Sequence, residues 1–140
     1  MSEEFACETN IGVAKGTSVE EQVKMNFRGE TSEVGLYLAM SKQALREGFP
    51  EIAMVFEKLA KDEAWHAARF AELNGMIAED TKTNIEKMLA GEKGANKGKR
   101  QAAEKAKEAD CEEAGEFFHE SSRDEARHAR ALQGLLSRYF

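Results

Sequence analysis

The chain has one proline, two cysteines and one tryptophan in 140 residues. A single proline leaves helices free to run long, because an interior proline removes a backbone hydrogen bond and clashes with the preceding turn. The cysteines, Cys7 and Cys111, have no paired spacing, and no Cys-x-x-Cys occurs. That argues against a disulfide framework or a zinc site and for free thiols in a reducing cytoplasm. No apolar run approaches the roughly 18 residues of a membrane span. The first residues, MSEEFACETN, are acidic and polar, unlike a signal peptide. Positive charge is not in excess either: the net charge of −6 argues against nucleic-acid binding.

What is present favours helix. Apolar residues make up 41% and charged residues 33%, a mix suited to one globular domain with a real core. Residues 1–17 read as a loose N-terminal arm, and residues 18–140 as a four-helix bundle. Ser18-Val-Glu-Glu21 is a capping-box pattern that should open a first helix running to about Glu47, with Gly48 as its stop. Pro50 suits the first turn of a second helix, which should end near Asn74, before Gly75. Thr83-Asn-Ile-Glu86 should open a third helix and Asp110-Cys-Glu-Glu113 a fourth. The short first and last turns predict two antiparallel hairpins. The link from Gly75 to Thr83 reaches at most about 26–29 Å when extended. A bundle-length crossover needs on the order of 30 Å. The link is therefore taut, or it carries the second hairpin into a neighbouring chain, so a hairpin-swapped homodimer is expected.

Glu-x-x-His occurs twice, as Glu63/His66 and Glu125/His128, each with a further glutamate 33 residues upstream, Glu30 and Glu92. The two sets are 62 residues apart at all three positions. Within Glu-x-x-His both side chains share a helix face, one turn apart. In the second helix they fall inside the stripe Ile52, Val55, Phe56, Leu59, Phe70 and Leu73, and in the fourth inside Phe117, Phe118, Ser121, Leu132 and Leu135. The first helix has a similar face, with Phe27, Glu30, Val34, Tyr37, Ser41 and Leu45. Carboxylates gathered in an apolar interior repel one another and normally neutralise. Glu30, Glu33, Glu63, Glu92 and Glu125 would do so unless cations joined them, and no Lys or Arg lies on the inward stripes of the second or fourth helix. Two divalent ions would satisfy them, and carboxylate with imidazole suits iron or manganese. One Glu from each of two helices and Glu-x-x-His from the other two is the donor set of ferritin-like di-iron bundles. The third histidine, His119, lies off this pattern, and Trp65 faces sideways on its helix.

Phe27-Arg-Gly-Glu30, Tyr37, the run Phe56-Glu-Lys-Leu-Ala-Lys-Asp-Glu63-Ala-Trp-His66-Ala, Ala90-Gly91-Glu92 and Asp124-Glu125-Ala-Arg-His128 resemble the ferritin-like domain of rubrerythrin over about residues 18–138. The resemblance implies a di-iron peroxide reductase. It implies that Glu63 and Glu125 bridge the metals, with Glu30 and His66 on one iron and Glu92 and His128 on the other. Three departures stand out. Without paired Cys-x-x-Cys there is no rubredoxin domain, so electrons must come from a separate donor such as rubredoxin. The extra glutamate that rubrerythrin carries three residues after its third-helix ligand is Ala95 here. Glu33, three residues after Glu30, replaces it in the other half of the repeat, where it is expected to ligate the iron of Glu92 and His128 and to exchange with His128. The third helix carries Gly91, Gly94 and Gly98, each costing roughly 1 kcal/mol against alanine, so it should be narrow and less stable.

The expected reaction is reduction of hydrogen peroxide to water in protection against oxidative stress. Glu33 is a candidate proton relay, and Tyr37 a candidate hydrogen-bond donor to a ligand carboxylate. An O₂-activating oxidase or oxygenase and a non-enzymatic iron-binding protein are the alternatives. Lys93, Lys97, Lys99 and Arg100 form a basic spot that reads either as a docking site for an acidic donor or as a solvated helix face.

Overall fold

The computed structural model describes residues 11–140; residues 1–10, with Cys7, lie outside the described part. Four helices account for most of it: α1 Glu20–Arg46, α2 Pro50–Leu73, α3 Thr81–Glu108 and α4 Glu112–Tyr139. No strand occurs among the described residues. The helices form two compact units, one holding α1 and α2 and the other, residues 80–140, holding α3 and α4. Helix α1 packs on α2 in the first and α3 on α4 in the second.

The hairpin turns repeat as the ligands do. After α1, Phe49 N–H donates to the Ala44 carbonyl at 2.9 Å and Gly48 N–H to Leu45 at 3.1 Å. After α3, Cys111 N–H donates to Ala106 at 2.9 Å and Asp110 N–H to Lys107 at 3.1 Å. Both are Schellman-type stops, which need a left-handed residue. Gly48 fills that place at φ 84° and Asp110 at φ 54°.

The helix starts differ from the expected capping boxes. Helix α1 begins at Glu20, and its N-cap Val19 offers no side-chain bond. Glu20 Oε2 instead accepts from Gly16 N–H at 2.7 Å, outside the helix. Helix α3 begins at Thr81, because Asp80 caps it by accepting from Thr83 N–H at 2.8 Å. Helix α4 begins at Glu112 with no side-chain cap, since Asp110 is already committed to ending α3. Residues 11–17 are not loose. Gly12 N–H donates to Glu72 O at 2.7 Å, beside the bond that carbonyl accepts from Gly75 N–H, and Ala14 N–H donates to Leu73 O at 2.9 Å, a carbonyl at the open end of α2.

Small side chains line the seam of each hairpin. Ser41 and Ala44 on α1 are buried, as are Ala53, Ala60 and Ala67, spaced seven apart on α2. In the second hairpin Ala103 and Ala106 on α3 and Ser122 and Ala129 on α4 are buried. A Cβ on Gly115 would stand 3.6 Å from Ala106 Cβ. Small residues let two helix backbones approach closely. Several large residues of the inward stripes, among them Leu45, Ile52, Val55, Phe117 and Leu135, are exposed. The stripe marks where apolar bulk lies, while the seam within a hairpin is narrower and selects for size. Helix α3 is continuous through Gly91, Gly94 and Gly98.

Candidate metal centre

The first hairpin brings Glu30 of α1 to Glu63 and His66 of α2, and the second brings Glu92 of α3 to Glu125 and His128 of α4. In each triad one donor atom per residue lies within 4.8 Å of the others. The two agree closely in detail. His66 Nδ1 stands 2.9 Å from Glu63 Oε2 and 3.6 Å from Glu30 Oε1. His128 Nδ1 stands 2.9 Å from Glu125 Oε2 and 3.4 Å from Glu92 Oε2. In both, the carboxylates are largely covered and the imidazole is open, at 59% side-chain exposure.

The electrostatics differ between them. In the first triad the Glu30 carboxyl is raised, chiefly by its hydrogen bond with Glu63, and the Glu63 carboxyl is correspondingly lowered. His66 is raised, first by its hydrogen bond with Glu63. In the second triad Lys99 Nζ contacts Glu125 Oε1 directly. This ammonium is the largest cause holding the Glu125 carboxyl at about 2, followed by its side-chain interaction with Glu92. Lys99 therefore belongs to the triad and not to a solvated basic spot. The signal was available in the register: Lys99 is 62 residues after Tyr37, so α3 carries a cation where α1 carries a phenol.

The donor set fits a divalent metal. Glu30 Oε2 is buried without a hydrogen-bond partner, an arrangement that costs free energy unless a cation completes it. Carboxylates and an imidazole with an open position are the ligands expected of iron or manganese. Glu33 lies one turn beyond Glu30; it is exposed and stands outside the triad. Tyr37 is half-buried and packs on Phe56, ring centroids 5.9 Å apart. His119 and Trp65 are exposed and take no part in either triad. Cys111 is free and exposed at the α3–α4 turn.

Residues 21–136 match the Rubrerythrin family. A protein of Methanocaldococcus jannaschii, described only as uncharacterized, is 60% identical over 133 residues, covering 95% of this chain and 94% of its own. Reverse rubrerythrin-1 of Clostridium acetobutylicum is 48% identical over 141 residues, covering 99% of this chain and 78% of its own. Rubrerythrin of Porphyromonas gingivalis is 30% identical over 136 residues, with 88% and 68% covered. The chain belongs to the rubrerythrin family of di-iron proteins, and its four helices are those of the ferritin-like bundle. Among the described residues no helix is long and apolar enough to cross a membrane.

Proposed function

We propose that this chain is a di-iron peroxide reductase, converting one hydrogen peroxide, two electrons and two protons into two waters. The observation that carries the reading is the pair of matched Glu/Glu/His triads, one with an unpartnered buried carboxylate oxygen, in a chain of the rubrerythrin family. Glu30, Glu63 and His66 would hold one ion, and Glu92, Glu125 and His128 the other. Bound as ferrous ions, the metals would supply the two electrons and would stabilise negative charge on the departing oxygen.

The protein's own groups do the rest. Glu33 is the carboxylate free to swing, being exposed one turn from Glu30, and we assign it a ligand and proton-relay role. Tyr37 lies on the same face of α1 two turns on, and we assign it the positioning of a ligand carboxylate. We assign the supply of electrons to a donor protein such as rubredoxin. We further propose a cytoplasmic homodimer in which hairpins exchange between chains. Residues 74–80 between α2 and α3 reach at most about 24 Å, which makes an exchange reasonable.

The test is stopped-flow oxidation of anaerobically iron-loaded protein, with peroxide and O₂ in parallel. Faster oxidation by peroxide, at two irons per peroxide, supports the reading. Faster oxidation by O₂ replaces it with an oxidase or oxygenase. Slow oxidation by both leaves an iron-binding protein.

A further inference from the structure

Under the 62-residue repeat, Glu63 corresponds to Glu125 and Tyr37 to Lys99. The first triad keeps an acceptor open, because Glu30 Oε2 is buried with no partner. The second has its acceptor occupied, because Lys99 Nζ contacts Glu125 Oε1. The contact is sheltered, at 34% and 14% side-chain exposure, so salt screens it less than a surface pair. An ion entering the second triad must first displace this ammonium from one of its ligands. Among the described residues no ammonium contacts Glu30 or Glu63, so an ion entering the first meets no such competitor.

We propose that Lys99 is a placeholder cation for the α3–α4 triad, and that it makes the two triads load metal in order, α1–α2 first and α3–α4 second. This inference rests on the metal-centre reading above. It gives the chain a state with one ion bound and one carboxylate charge of the second triad countered by the protein itself. Carboxylates without counter-charge would otherwise strain that state. Lys99 is a positioning residue here, acting through Glu125.

The test is an anaerobic titration of the metal-free full chain with Co(II), followed by visible absorption and calorimetry. Wild type should bind in two steps, the second weaker by about tenfold, the scale of one charge-assisted hydrogen bond in a partly exposed place. His66→Ala should remove the tight step and His128→Ala the weak one. Lys99→Met and Lys99→Gln should merge the steps by tightening the second, and Lys99→Arg should keep them apart. Far-UV circular dichroism confirms that each variant is folded, and the two uncharged variants check each other. Two equal steps in wild type would overturn the placeholder while leaving the metal centre intact. So would an unchanged gap in both uncharged variants. Failure of wild type to bind Co(II) at all would overturn the metal-centre reading and this inference with it.

Discussion

Gly12 and Gly75 meet backbone to backbone: a Cβ on Gly75 would stand 3.3 Å from Gly12 Cα. The contact lets residues 12–14 bond the last carbonyls of α2, and Asn74 Nδ2 adds a bond to the Glu20 carbonyl at 3.1 Å. The segment before α1 and the end of α2 are thereby tied into one corner of the first hairpin. Gly75 also sits at φ 61°, where a side chain is strained. Gly75→Ala should destabilise the protein by about 1–2 kcal/mol from the left-handed backbone alone, with the tight contact adding to it. Urea unfolding measures this, and an unchanged midpoint contradicts it.

Asp110 points the other way. It holds the left-handed place after α3 that Gly48 holds after α1, at φ 54°. Asp110→Gly should raise stability by up to about 1 kcal/mol, the strain relieved. The same melt, run on Gly48→Ala, should move in the opposite direction.

The two candidate triads were legible in the sequence, and much of the local punctuation was not. Three residues along a helix is one face, so each Glu-x-x-His fixes its own geometry. The 62-residue offset then pairs each with its upstream glutamate. The hairpin stops were legible at Gly48 because glycine marks left-handed backbone, but Asp110 hid its stop inside an apparent capping box. The start of α1 was misplaced because Glu20 turns back to Gly16 N–H, a bond made outside the helix. The seam was obscured because periodicity weighs large side chains, whereas Ala53, Ala60 and Ala67 form it by being small. Lys99 was read as surface because a stripe is drawn one helix at a time. Its partner is on another helix.

Glycine in α3 gives a further prediction. A Cβ on Gly98 meets nothing within 4 Å, so the position has room for a side chain. Gly98→Ala should stabilise by about 1 kcal/mol, the helix-propensity difference. A thermal melt of the metal-free protein tests it, and a lowered midpoint would show that the glycine serves a close approach.

The metal-free protein should show a pH signature. Beside Lys99, the Glu125 carboxyl is lowered to about 2. A lowered carboxyl stabilises the fold above its unfolded value, about 4.3, and that stabilisation is lost as pH falls toward the folded value. Lys99→Met removes the largest cause, so acid unfolding of this variant should begin at a higher pH than in wild type. His66 carries the opposite sign. Raised by its bond with Glu63, it stabilises fully below its unfolded value, about 6.5, and the effect fades as pH rises through the folded one. Circular dichroism against pH follows both, and coincident acid limbs for wild type and Lys99→Met contradict the first.

Loss of one imidazole should weaken metal binding without unfolding the hairpin, since His66 and His128 are both largely open to solvent. Each His→Ala variant should lose more than the roughly 10–100-fold that an outer-shell partner costs, while its metal-free melt stays near wild type. Equilibrium dialysis against Fe(II) measures the first and calorimetry the second.

The central proposal is that the two repeated triads hold the two irons of a di-iron protein. Mössbauer spectroscopy of anaerobically iron-loaded and then oxidised protein, with iron counted per chain, tests it most directly. The account requires two irons per chain, magnetically coupled as a pair. One iron per chain, or two that show no coupling, would contradict it.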